Sequence, residues 1–307
     1  MLSCVGDAPR DNPLESGNGL TIRGKIHTYY APHLPLEMVP VYLKNLHLFT
    51  FSDASGMFEF THLKPDSYLV ITGGANFSRD SVKLYLKKNT ILNFYLDRLP
   101  QFQEIKITSH HQAHWFPVED SYFLQIFVKL TDADGIGDLN LVYFEIPEMS
   151  IADTLLPGQN PGEFYFSRNA NDFAINHLEE LIGKEFLITA QDDAGFSSTT
   201  QPVYLARIIN ESVQLISPIG FQTITSDTIH FQWQAAYLSF PFHYRLEIFQ
   251  INNGVLSTVK MIDQLPANLP VLDFIHQLPS GDYLWRIYIV DEFGNTSSSK
   301  EGAFKIP

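Results

Sequence analysis

Residues 49–60 read Phe-Thr-Phe-Ser-Asp-Ala-Ser-Gly-Met-Phe-Glu-Phe. Aromatic and polar residues alternate on both sides of Asp53-Ala54-Ser55-Gly56. A period of two gives a strand one buried and one wet face. The intervening Asp can bond backbone two residues on and the Gly supplies positive φ, which is the chemistry of a tight turn. Two strands joined by that turn fit the stretch, with Phe58 and Phe60 sharing one face. The pattern extends outward on both sides. Residues 20–26 (LTIRGKI) alternate, and residues 39–43 (VPVYL) place Val39, Val41 and Leu43 together. Residues 63–70 (LKPDSYLV) set Pro-Asp-Ser before another strand, and a last strand at 90–96 ends before Leu99-Pro100.

The other end of the chain follows the same rules. Ile229, Phe231 and Trp233 alternate, as do Tyr244, Leu246 and Ile248. Asn252-Asn253-Gly254 is a hairpin signal, because both turn positions tolerate positive φ. Residues 278–289 (LPSGDYLWRIYI) read as turn then strand, and 291–297 (DEFGNTS) as the next turn. A stripe of tryptophans can serve as a sugar platform, but at alternating strand positions tryptophan belongs more often to the core. Between these ends, strands are expected at 105–108, 122–130, 139–146, 163–166, 186–190 and 203–208, with room for one or two helical turns at 171–181. The predicted fold is all-β: three tandem β-sandwich domains over 19–100, 101–209 and 210–307, behind a polar spacer at 1–18.

Bulk composition agrees with that reading. A chain of 307 residues suits two or three domains, and its 24 Phe and 14 Tyr are what many half-buried strands use. Thirty-four acidic against twenty basic residues give a net charge of −14. A phosphate backbone needs a positive surface, so nucleic acid and anionic membrane are poor partners, whereas a hard cation suits the charge. The single cysteine, Cys4, excludes both a disulfide within the chain and a cysteine-based zinc cluster.

Four resemblances follow from these residues. Met1-Leu2-Ser3-Cys4 resembles the end of a bacterial lipoprotein signal, and the Gly-, Pro- and Asn-rich residues 5–19 resemble the spacer that follows the lipid-bearing cysteine. The resemblance implies acylation at Cys4 and a place in the bacterial cell envelope, the lipid being the only membrane contact. Gly24, Pro40-Val41, the turn at Ser52–Phe58 and Leu63-Lys64-Pro65-Asp66-Ser67-Tyr68 resemble the carboxypeptidase regulatory-like domain, a prealbumin-like sandwich that is a non-catalytic accessory. Asp66 departs from it, standing where that family usually has Gly. Trp233, the Tyr244-x-Leu246-x-Ile248 strand and residues 278–289 resemble a fibronectin type III domain. The middle segment resembles immunoglobulin-like domains of bacterial surface proteins.

Two features invite chemistry. Asp132, Asp134 and Asp138 surround a glycine-enabled bend (DADGIGD), and Asp192-Asp193 follow a later strand. Calcium takes six to eight oxygens, several of which Asp-x-Asp-Gly loops supply from a short arc. No bidentate Glu stands at the twelfth loop position, so this is no EF-hand, and the plainer reading, which the sequence favours, is a pair of Asp/Gly turns with solvated carboxylates. The run His110-His111-Gln112-Ala113-His114 lacks a preformed ligand set for zinc and reads as an exposed polar loop. Glu179-Glu180 reads as a solvated helical edge. Nucleophile elbows, phosphate loops, HExxH and dinucleotide fingerprints are absent from the sequence. The expected role is a non-catalytic envelope lipoprotein that spaces, adheres or assembles through contacts with other surface proteins or copies of itself, by sheet edges and loop tips. A carbohydrate-binding accessory module is the alternative.

Overall fold

A computed structural model describes residues 19–307 apart from Ala75, Ala174 and Asn176. The Cys4 tether expected at 1–18 lies outside the described residues. The chain is all-β and of sandwich type, and the helical turns among the described residues are short 3₁₀ segments. None is a helix long and apolar enough to cross a membrane. The described residues divide into two compact units, one of residues 19–101, 131–140 and 190–198, the other of residues 102–130, 141–189 and 199–307.

In the first unit, strand Leu20–Thr28 lies between Met57–Leu63, antiparallel, and Thr90–Leu96, parallel. A second sheet runs in the order Leu48–Phe51, Pro40–Leu43, Ser67–Gly74, Phe77–Tyr85. The apolar alternates close on each other between the sheets: Ile22, Ile26, Phe58 and Phe94 meet Val41, Leu43, Tyr68 and Val70 in one buried cluster. Burying a side chain of this size contributes about 1.5–3 kcal/mol, so the alternation itself holds the unit together. Gly24 is needed for close approach, since a Cβ there would stand 2.3 Å from the Phe58 ring. The 53–56 turn forms as its residues require, with Asp53 Oδ1 accepting from Ser55 N (2.8 Å) and Met57 N (2.9 Å) and Gly56 at φ 74°.

The second unit holds a ten-stranded sheet. Its main path runs Leu156–Pro157, Glu163–Asn169, Ser121–Thr131, Gln101–Gln112, Thr296–Ser298, Gly281–Asp291, Phe242–Asn252, Val255–Pro266, with Gly302–Ile306 beside Gly281–Asp291. Two smaller sheets pack on it. Phe144 of one reaches Phe166 (ring centroids 4.9 Å apart), and Phe231 of the other reaches Trp285 (4.8 Å). Trp233 and Trp285 are both fully buried, as core tryptophans should be. The Asn252 hairpin also forms, Asn253 and Gly254 both taking positive φ (51° and 80°) between paired Asn252 and Val255.

Two local expectations fail. Residues 203–208 form no strand; Val203 and Leu205 make isolated bridges to Phe186 and Ile182. The histidine run is not an exposed loop. His110 and His111 lie near the end of strand Gln101–Gln112 and pair in parallel with Thr296 and Ser297, 186 residues away, and His111 is buried there.

Candidate functional site

Three places in the described residues gather polar or exposed apolar groups beyond what packing needs. The first is the free edge of the ten-stranded sheet. Val255–Pro266 is twelve residues long and pairs on one side only, with Phe242–Asn252. Almost every residue along it is exposed, including Val255 (64% exposed), Leu256, Val259 and Met261. Its register against the neighbouring strand shifts twice, which twists the ribbon without shortening it. The first unit has a shorter free edge, Leu48–Phe51, whose Phe49 (63% exposed) and Phe51 share an outer face with Tyr42. These rings sit 6.2 and 6.0 Å apart but are inclined by 37° and 86°, so they form no flat platform.

The second place is a groove of about 890 Å³ on the second unit, walled by Val213, Leu215, Ile219, Phe221 and Leu284. Trp115 stands at it, 66% exposed, with its Nε1 donating to Glu301 O (2.8 Å) and the Lys300 ammonium 4.8 Å from its ring centre. Lys300 and Glu301 are the ionisable groups of its described lining, and the Glu301 carboxylate is paired with Arg286. No nucleophile–base pair faces the groove among these residues.

The third is acidic and lies wholly within the first unit. The sequence-marked Asp132, Asp134 and Asp138 are brought together with Asp192 and with Asp97, which sequence reading missed. Asp97 directly follows strand Thr90–Leu96, where its backbone is held by Ser78: Asp97 N donates to Ser78 Oγ and Ser78 N to Asp97 O, both at 2.9 Å. The DADGIGD bend is tied to it by Arg98 N donating to Asp134 Oδ2 (2.9 Å), and Asp193 N donates to Asp138 O (2.9 Å). Asp97 is 1% exposed, and neither of its carboxylate oxygens has a donor among the described residues. Burial, and then the Asp192 and Asp134 charges, push Asp97 far above the ordinary carboxylate range. Burial and Asp132 raise Asp138 to about 6, and burial with the surrounding carboxylates raises Tyr30 to about 12. Among the described residues no group of three His, Cys, Asp or Glu side chains already converges as a metal-ligand set.

The histidine run has a structural explanation. His111, 1% exposed, contacts Ser297 Oγ through Nδ1 (2.8 Å) and Asp120 Oδ2 through Nε2 (2.9 Å) and stacks on Tyr122. Beside it Asn295 Oδ1 accepts from Ser109 N (2.9 Å), and Asn295 Nδ2 donates to Asp291 Oδ2 (2.9 Å). These are satisfied buried polar groups joining neighbouring strands. Glu179 and Glu180 sit on the 3₁₀ turn Leu178–Leu181, with Glu179 accepting from Asn210.

No protein-family model matches the sequence, and no curated protein does. Among solved structures, the chain is similar to the FN1–FN3 domains of chicken CNTN1, at 9% identity over 87% of this chain and 90% of that one, TM-score 0.34. It is also similar to the fibronectin(III)-like modules of Clostridium thermocellum CbhA, at 12% identity over 68% and 93%, TM-score 0.30. A DUF3823 family protein from Bacteroides ovatus matches at 10% identity over 61% and 98%, TM-score 0.26.

Proposed function

We propose that this chain is a non-catalytic module of the bacterial cell envelope, acylated at Cys4, that holds other surface proteins by strand addition along Val255–Pro266. The observation that carries the reading is the exposed length of that edge. A free edge presents a row of unpaired N–H and C=O groups, and proteins ordinarily keep such edges short, charged or covered. This one runs for twelve residues with only Lys260 and Asp263 charged. An extended segment laid beside it would gain main-chain hydrogen bonds, with Val255, Leu256 and Met261 offering apolar contacts for its side chains. The net charge of −14 favours a neutral or basic segment. The apolar groove without a nucleophile–base pair supports a binding role over a catalytic one. Gly24 under the Phe58 ring, the Asp53 turn and the Tyr68 hydroxyl bonded to Lys64 O support taking the first sandwich as carboxypeptidase regulatory-like.

The test is site-specific photo-crosslinking from Thr258 in native envelopes, with and without Val255→Lys and Val259→Lys. One discrete crosslinked product, to a second protein or to another copy, is expected, and the two lysines should abolish it while the melting temperature is kept. An unchanged product in the lysine variant, or none in the wild type, contradicts strand addition here. Intact mass of the native protein should show a lipid on Cys4; an unmodified cysteine removes the anchor.

Glycan binding is the second reading, and the exposed Trp115 at the groove favours it. It predicts that Trp115→Ala abolishes retention on the glycan surface that retains the wild type.

A further inference from the structure

We propose that Asp97, Asp132, Asp134, Asp138 and Asp192 bind one calcium ion. Two turns of the chain share the same chemistry. Asp291-Glu292-Phe293-Gly294 and Asp192-Asp193-Ala194-Gly195 both fold so that the leading Asp accepts backbone N–H groups through Oδ1, from Phe293 and Asn295 in the first and from Phe196 in the second. Both leading carboxylates are buried. In the first turn Oδ2 is met by Asn295 Nδ2 and by the Arg207 guanidinium (3.2 Å). In the second, Asp192 Oδ2 has no donor, and what faces it is Asp97, whose two oxygens have none either. Buried carboxylates are kept charged by a cation or by hydrogen bonds, and isolated ones are costly. No ion pair among the described residues involves any of the five carboxylates. The positive charge that Arg207 supplies to Asp291 is the one this cluster lacks.

The donor set selects the cation. The groups gathered here are oxygen donors: carboxylates from three separate segments and the Tyr30 hydroxyl, also without a partner, which feels the Asp192, Asp97 and Asp138 charges. Calcium takes such sets in flexible geometry, whereas zinc and copper call for imidazole or thiolate. Part of the site is already fixed. Asp132 Oδ1 accepts from Asp134 N (2.9 Å) and Asp134 Oδ2 from Arg98 N, which orients each carboxylate by one oxygen and leaves the other for the ion. Asp132, Asp134 and Asp138 are partly exposed, giving a route from solvent to the buried Asp97 and Asp192. The side chains do not yet converge, so binding draws the 132–138 bend inward, and Gly135 and Gly137, with open space around them, leave room for that movement.

The experiment uses the full chain, stripped with chelator. Terbium chloride is titrated with excitation of tyrosine, since Tyr30 would lie at the ion, and calcium chloride is then added as competitor. One terbium per chain, displaced by calcium, is expected, and excess calcium should raise the melting midpoint by about 5 °C or more. In Asp97→Asn/Asp138→Asn the affinity should fall at least tenfold, while the midpoint in chelator equals or exceeds that of the wild type, because repulsion is relieved without disturbing the fold. A wild type with neither terbium signal nor calcium-dependent midpoint overturns the proposal, as does a double variant that keeps the wild-type response.

Discussion

The Arg207 guanidinium illustrates how much a single residue decides in this chain. It pairs with the buried Asp291, reaches Glu292 (3.4 Å) and lies 3.9 Å from the centre of the Phe240 ring. Arg207→Met keeps the stem's packing and removes the charge, leaving Asp291 buried without its cation. Breaking such a pair costs about 2–4 kcal/mol, the lower part of this range applying because Arg207 is partly exposed. Chemical denaturation should register that loss, and adding Asp291→Asn should recover part of it; a variant as stable as the wild type would show the pair to be dispensable. At this scale the acidic cluster was half legible. Asp132, Asp134, Asp138 and Asp192 announce themselves by glycine-bearing turns, but Asp97 sits in Leu96-Asp97-Arg98-Leu99 with no glycine turn and no second carboxylate beside it. Its one signal is a charge directly after an apolar strand, and only folding reveals what it faces.

Among elements, the strands that alternate were readable and the polar seam was not. Ile229, Phe231, Trp233, Phe58 and Phe60 bury as their spacing requires, because alternation and burial are the same fact in a half-covered sheet. Thr296 and Ser297 fall in the stretch read as a turn and His110-His111 in one read as an exposed loop, yet Thr296, Ser297 and His111 are buried, with His110 Nδ1 against Thr296 Oγ1 and His111 Nδ1 against Ser297 Oγ, both at 2.8 Å. Composition carries no signal for a polar group that finds its partner 186 residues away. The seam has a pH consequence. Burial first, and the Arg245 charge second, lower His110 to about 4, where an unfolded histidine stays near 6.5. Between those values the unfolded chain holds a proton that the folded chain does not, so stability is complete above about 6.5 and falls as pH drops toward 4. Urea midpoints measured from pH 7 to 4 should decline through this window, and His110→Gln should decline less steeply. Equal slopes would mean that His110 is not the group responsible.

For the whole molecule, the all-β sandwich character followed from the turn chemistry and the period of two, since both are local. The joining of strands Gln101–Gln112 and Thr296–Ser298 into one ten-stranded sheet did not, because a parallel pairing between distant strands leaves no mark in either. That sheet is what ends in the long free edge on which the functional reading rests. The most direct measurement is amide hydrogen exchange on the full-length protein, in native envelopes and after purification. Strand addition predicts that amides within Val255–Pro266 exchange at least tenfold more slowly in the envelope than in the purified protein, while those of the paired Phe242–Asn252 are unchanged. Equal exchange at Val255–Pro266 in the two states would contradict it.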